Sequence, residues 1–168
     1  NELAEAAGVK TICEIGFNGG HSTLRWLLHS KARVFAFDLG EHDYSRPAAE
    51  WLAARFPGRL HVTWGDSTST LPAFRAARPE LRFDLLFVDG GHSFDVALSD
   101  LRHCGEMARS GCNRVLMDDT HLSGSDGAWQ QVVESGNATE LQRYSGFQEG
   151  VGNYGFAVGI YTEAAAGG

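Results

Sequence analysis

Five short apolar runs, each carrying a carboxylate at or near its end and each followed by a stretch of helical spacing, limit the folds open to this chain. The runs are Thr11 to Phe17, Arg33 to Leu39, Leu60 to Asp66, Phe83 to Asp89 and Arg114 to Asp119. Short apolar runs bounded by glycine and turn residues predict buried strands. Between them lie helical patterns. Leu24, Leu27 and Leu28 recur at i, i+3 and i+4. Pro47 opens a segment whose inward face is expected at Ala48, Trp51, Leu52 and Phe56. A short helix is expected from Leu71 to Arg78, and a longer one carries Phe94, Ala97, Leu98, Leu101 and Met107. Ala128, Trp129, Val132 and Val133 mark a fifth. Two closing runs, Gln142 to Gln148 and Tyr154 to Tyr161, have no helix between them and predict an antiparallel hairpin.

Strands alternating with helices build a mostly parallel sheet covered on both faces. The expected fold is α/β, a doubly wound sheet of seven strands with one antiparallel strand in the C-terminal hairpin. At 168 residues there is room for one such domain, expected over residues 1–163, with 164–168 as a flexible tail. The chain starts at Asn1 rather than Met, which reads as a trimmed piece with elements missing upstream. Apolar residues at 43% and charged residues at 21% fit a packed core rather than disorder. A net charge of −7 leaves no Lys/Arg stripe for phosphates, so nucleic acid is not an expected partner. No apolar run approaches a membrane span and no signal-peptide pattern opens the chain. Three cysteines without zinc-ligand spacing read as free thiols in a reducing, cytoplasmic setting.

The acids carry the functional reading. Glu14, Asp38, Asp66, Asp89 and the pair Asp118–Asp119 fall one strand after another. In an open α/β sheet the carboxyl ends of the strands form the ligand crevice. Carboxylates gathered there repel one another unless a positive or hydroxyl-rich ligand lies among them. A cationic nucleoside with a divalent metal beside it fits that edge.

The first loop reads Glu14-Ile15-Gly16-Phe17-Asn18-Gly19-Gly20-His21-Ser22. Its glycines allow a sharp strand-to-helix turn lying flat against a ligand. The spacing is not the G-x-G-x-x-G of dinucleotide sites, and the acid two residues before the first glycine would repel a pyrophosphate. Asp38, ending the second run, is placed to accept from two ribose hydroxyls. Gly65-Asp66-Ser67 ends the third; Asp66 can cap the next helix and also accept from the exocyclic amine of adenine.

Taken in order, Glu14-x-Gly16-x-x-x-Gly20, Asp38, Gly65-Asp66 and the run Phe83 to Asp89 resemble the successive motifs of class I S-adenosylmethionine-dependent methyltransferases, which share a Rossmann-like sheet. The likeness runs from about Val9 to Tyr161. Glu14 to Ser22, joined to Val88-Asp89-Gly90-Gly91-His92-Ser93-Phe94, resembles the small methyltransferase-24-type domains. The resemblance implies that Glu14 and the Gly16–Gly20 loop, with Asn18, His21 and Ser22, hold the methionine part of S-adenosylmethionine. It implies Asp38 on the ribose, and Asp66 with Ser67 at the adenine.

Asp89 and Asp118–Asp119 stand at two strand ends expected to be neighbours. Three crowded carboxylates need a cation, and oxygen ligands favour Mg²⁺ or another hard dication. The pattern resembles metal-dependent O-methyltransferases of the catechol and macrolide-sugar types, which implies Asp89, Asp118 and Asp119 as metal ligands. His92, three residues after Asp89, is then the base, with Asp89 beside it in the catalytic group. No lysine is seen near the site to serve as base, as in the catechol-type enzymes, and the short chain is expected to lack the N-terminal helix that often covers the acceptor pocket. Trp26, Trp51 and Trp129 fit helical core faces; Trp64 is expected near the adenine. The expected activity is methyl transfer from S-adenosylmethionine to a hydroxyl of a small molecule. A non-catalytic nucleoside-binding module and an NAD-dependent oxidoreductase are the alternatives, the latter disfavoured by the missing glycine motif.

Overall fold

Strands and helices alternate as the sequence predicts in the computed structural model, which describes residues 8–150 and 152–162. The strands are β1 (Thr11–Ile15), β2 (Arg33–Asp38), β3 (Leu60–Trp64), β4 (Leu85–Val88), β5 (Arg114–Met117), β6 (Ala138–Gln148) and β7 (Gly152–Tyr161). The helices are α1 (His21–His29), α2 (Ser45–Arg55), α3 (Ser67–Ala77), α4 (Phe94–Met107) and α5 (Ser123–Glu134). The tail expected at 164–168 lies outside the described residues.

The strands form one sheet in the order β3-β2-β1-β4-β5-β7-β6. All adjacent pairs are parallel except those made by β7, which runs antiparallel to β5 and β6. The chain builds outward from β1 to β3, then returns to lay β4 on the other side of β1. That reversal leaves a crevice beyond the carboxyl ends of β1 and β4.

Two apolar clusters sandwich the sheet. Cys13, Ile15, Phe35 and Phe37 point to one face and pack with Leu71 and Phe74 of α3, Leu101 of α4 and Trp129 of α5. Ile12, Val34 and Ala36 point to the other, against Trp26 and Leu27 of α1 and Leu52 of α2. Alternation of side chains along each strand produces the division, and burial on both faces explains why the central strands read as unbroken apolar runs. Cys13 and Cys104 are buried and Cys112 exposed, all as free thiols.

Several helix faces differ from the sequence expectation. Leu28 is 61% exposed, because Thr23, Trp26 and Leu27 occupy the buried stripe of α1. Trp51 is 54% exposed and lies under the Arg55 guanidinium at 4.9 Å. There α2 begins two residues before Pro47, and Ser45, Ala49 and Leu52 face inward. Helix α3 starts directly after Asp66 rather than near Leu71. The Asp66 carboxylate accepts from Thr68 N at 2.8 Å and caps it, and the helix accommodates Pro72 beyond its first turn. The hairpin strands are longer than predicted, with an irregularity between Glu140 and Gln142 that interrupts the period-two pattern.

At the amino edge of the sheet, Asp84 is 7% exposed and fastens three elements. Its Oδ2 accepts from Lys10 N at 2.8 Å, Thr11 N at 2.9 Å and the Thr11 hydroxyl at 3.0 Å; Oδ1 accepts from Arg109 Nε. Burial pushes this carboxyl upward, but the donors from Lys10, Arg109 and Thr11 win and hold it below the usual carboxylate range. A depressed folded pKa gives stability that is present above the unfolded value and lost as pH falls through the folded one. Asp84→Ala should therefore lower unfolding stability by about 2–3 kcal/mol at neutral pH in denaturant titrations. The deficit should shrink on acidification below about pH 4; an unchanged midpoint at neutral pH would contradict the assignment.

Candidate active site

The crevice is built by backbone contacts just past the strand ends. Gly16 N donates to Phe37 O at 2.8 Å, Asp89 N to Ile15 O at 2.9 Å, Gly65 N to Asp38 O at 2.8 Å and Asp118 N to Val88 O at 3.0 Å. Each acid thus leaves its strand at one level. Gly16 has φ +93° and touches the β4 turn so closely that a Cβ there would lie 2.0 Å from the Asp89 carbonyl oxygen. Only glycine meets both conditions.

Above these turns lies a cavity of about 530 Å³, within the size of small-ligand sites. Asp38, Glu41, Asp66, Asp89 and Asp119 line it together with His42 and His92, and no Lys or Arg does among the described residues. Leu39 and Val96 contribute apolar wall, and Gly16, Asn18 and Ser67 complete the predicted contacts. Glu41, His42, Leu39 and Val96 were not singled out by the sequence. The only hint was their position, immediately after the strand-ending Asp38 and at the start of the helix after Asp89.

Glu14 stands behind the wall rather than on it. Fully buried, it accepts from the hydroxyls of Ser22 and Thr23, which ties β1 to the first turn of α1. Burial pushes its carboxyl up to about 7, against the pull of those hydroxyls and of the nearby Trp26 indole. Gly20, His21 and Ser22 likewise do not line the cavity. Gly20 is wedged between Phe17 and Leu52, where a Cβ would come within 2.7 and 2.8 Å of their side chains. Asn18, with φ +49°, donates its N–H to Asp38 Oδ2 at 2.8 Å, while Gly40 N donates to Oδ1 at 2.7 Å. Each oxygen retains a lone pair for a further donor. Asn18 also accepts from Tyr44 Oη at 2.7 Å, and Tyr44 stacks on His42.

Asp66 uses Oδ1 to cap α3, and the Thr68 hydroxyl and N–H hold its carboxyl below the ordinary range. Trp64 does not reach the cavity wall. It packs edge-on to Phe17 and carries the Arg46 guanidinium at 4.7 Å. It also packs against the Gly40 turn.

Asp89, His92 and Asp119 come together, with one ligand atom of each lying within 4.8 Å of the others. His92 Nε2 and Asp119 Oδ2 are 2.8 Å apart. Asp118, expected in this group, stands beside it: its Oδ1 accepts from Asp119 N at 2.8 Å, Asp119 having a left-handed φ of +53°, and its charge still acts on Asp89. The third donor brought to the cluster is the imidazole, not the third carboxylate. Burial, then Asp118, Asp119 and Glu14, push the Asp89 carboxyl up to about 8. Burial also raises Asp118. A carboxyl held this far up is one that a cation would ionise, so two carboxylates and an imidazole fit a hard or borderline dication.

Comparisons with known proteins identify the family and the fold. Residues 13–120 match the methyltransferase-24 profile, a methyltransferase domain. Among solved structures, the O-methyltransferase TomG from Streptomyces achromogenes, involved in tomaymycin synthesis and bound to S-adenosylmethionine, superposes with TM-score 0.78 at 21% identity. The alignment covers 96% of this chain and 77% of that one. The Bacillus cereus O-methyltransferase in complex with S-adenosylhomocysteine gives TM-score 0.77 at 20% identity, over 96% of this chain and 78% of that one. A comparison with functionally curated sequences finds no match. The profile spans more than half of the sequence, Asp38, Asp66, Asp89 and Asp119 line one cleft, and the sheet is the expected seven-stranded, mostly parallel one: the chain belongs to the methyltransferase-24 family, within the class I S-adenosylmethionine-dependent methyltransferases.

Proposed function

We propose that the protein moves a methyl group from S-adenosylmethionine to a hydroxyl oxygen of a small acceptor. The observation that carries this reading is that five carboxylates and, among the described residues, no Lys or Arg line the cleft, which suits a sulfonium nucleoside and repels a pyrophosphate. Asp38, with a lone pair spare on each oxygen, takes the ribose hydroxyls. Asp66 and Ser67 meet the adenine. Gly16 and Asn18, the part of the Gly16–Gly20 loop on the cavity wall, take the methionine end, and Glu14 acts from behind by fixing that loop to α1.

The donor already activates its methyl group, so the chain mainly aligns the two reactants and supplies a base. The acceptor oxygen forms a bond to the methyl carbon as the carbon–sulfur bond breaks. The sulfonium leaves as a neutral thioether, and the hydroxyl proton goes to His92. Asp119, 2.8 Å from His92 Nε2, orients the imidazole. A hard dication such as Mg²⁺ fits the carboxylates of Asp89 and Asp119, and when bound would lower the pKa of an acceptor hydroxyl. The proximity of His92 to both acids also supports a second reading, with the imidazole as third metal ligand and no histidine base. Asp118 is then a buttress of Asp119 rather than a ligand.

The O-methyltransferase names of the solved neighbours support hydroxyl oxygen as the target. The acidic charge supports a small acceptor over nucleic acid. Among the described residues no helix is long and apolar enough to cross a membrane. The three free thiols favour work in a reducing compartment such as the cytoplasm.

Release of S-adenosylhomocysteine, followed by chromatography over a panel of hydroxylated acceptors, tests the reading. Turnover should fall to background in EDTA and return with Mg²⁺. Turnover indifferent to EDTA would remove the metal and leave the His92–Asp119 base, in which case His92→Ala should cut kcat by about 10²–10⁴. Failure of the protein to bind S-adenosylmethionine at all would overturn the whole proposal.

Metal affinity also has a predicted pH dependence. Asp89 holds its proton up to about pH 8, and a cation must displace it. Mn²⁺ affinity read by electron paramagnetic resonance should therefore rise with pH from 6 to 8, by at most about tenfold per unit. A flat profile would contradict Asp89 as a ligand.

A further inference from the structure

Beneath the proposed nucleobase end of the cleft lies a charge that the mechanism does not use. Asp100, on the inner side of α4, is 0% exposed, and neither of its carboxylate oxygens has a hydrogen-bond partner. Buried carboxylates without donors are rare because they are costly, and one that persists calls for an explanation. Its surroundings suggest one. Oδ2 lies 3.2 Å from the point where Gly90 would carry a Cβ, so the carboxylate rests against the turn after Asp89. The Ser67 hydroxyl, at the first position of α3, is the donor that acts on it. Burial pushes the Asp100 carboxyl up to about 6, while the Ser67 hydroxyl and then His103 draw it down and Asp66 raises it. Gly90, Ser67 and Asp66 all line the cavity, as does Val96, one turn before Asp100 on α4. Asp100 therefore stands directly under both the β3–α3 wall and the β4–α4 wall.

A serine hydroxyl has one hydrogen, and where that hydrogen points decides what the oxygen offers elsewhere. If it points down to Asp100, the Ser67 oxygen faces the cavity as an acceptor only. Asp66 beside it is an ionised carboxylate, again an acceptor only, and its Oδ2 is not used in capping α3. An edge made of acceptors takes a nucleobase with an exocyclic amine, as in adenine. It rejects one with an oxo group at the same position, as in hypoxanthine. Without Asp100 the hydroxyl is free to rotate and donate into the cavity, and the discrimination weakens.

We propose that Asp100 is a positioning residue for donor specificity: it takes the Ser67 hydroxyl hydrogen and so fixes this end of the cleft as an all-acceptor edge that selects an amino-purine nucleoside. The inference rests on the reading above that Asp66 and Ser67 meet the nucleobase.

The test is calorimetric binding of S-adenosylhomocysteine and S-inosylhomocysteine to the intact protein, read as the ratio of the two affinities. Asp100→Leu keeps the volume but removes the acceptor, and should lower the ratio by about tenfold, the value of one hydrogen bond of about 1.4 kcal/mol. Ser67→Ala should lower it equally, and the double variant no further. Asp100→Asn, whose amide oxygen still accepts, should retain most of the preference. A merely structural role would weaken both ligands alike and leave the ratio unchanged, and that result in Asp100→Leu and Ser67→Ala overturns the proposal. Should Asp100→Leu fail to fold, Ser67→Ala and Asp100→Asn decide it by the same ratio. Asp66→Asn separates the two levels, since asparagine still caps the helix. A ratio that falls in Asp66→Asn but holds in Ser67→Ala and Asp100→Leu overturns the role of Asp100 alone. A ratio indifferent to Asp66→Asn overturns the nucleobase reading together with the proposal.

Discussion

A contact with no side chain in it holds the site together: the backbone of Gly16 against the carbonyl of Asp89. At the switch point between β1 and β4 the two turns approach so closely that a methyl group on Gly16 would overlap that oxygen. Because the turns touch, the first glycine loop and the Asp89–His92 segment form one surface. Asp38 joins it through Asn18 N, and the Asp118–Asp119 turn joins through the hydrogen bond from Asp118 N to Val88 O. Asp38, Asp66, Asp89 and Asp119 are thus set by backbone geometry just past a strand end, where packing of the sheet leaves little freedom to move.

That rigidity has an electrostatic consequence. Carboxylates fixed close together cannot relax apart, so burial and mutual repulsion push Asp89 up to about 8. Glu14, drawn away from the wall by Ser22 and Thr23, adds to that field from behind. An empty cleft of this kind holds protons where a bound cation would replace them. The same field disfavours a dinucleotide, whose pyrophosphate would meet five acids and no lysine or arginine among the lining residues described.

The sheet was legible in the sequence because burial on both faces leaves unbroken apolar runs at β1, β2, β4 and β5. Its carboxyl edge was legible because each run carries an acid. The helix faces were less so. Leu28 and Trp51 have the spacing of core residues, yet the buried stripe of α1 sits one residue earlier, at Thr23, Trp26 and Leu27, and that of α2 runs through Ser45, Ala49 and Leu52. Sequence spacing also could not separate Asp118 from Asp119, since adjacent residues differ only in which way the backbone turns. The left-handed φ of Asp119, unusual for a residue other than glycine, decides that it is Asp119 that meets His92. Asp100 left no trace in the motifs at all, because a polar residue on an inner helix face is visible only once its missing partners are known.

The central claim is that this edge of carboxylates seats a methyl-donor nucleoside. A crystal structure grown with S-adenosylhomocysteine tests it most directly. The ribose hydroxyls should lie within about 3 Å of Asp38, the amino-purine against Asp66 and Ser67, and the sulfur above Gly16 and Asp89. A ligand bound elsewhere, or lying in the cleft with its base turned away from Asp66, would contradict it.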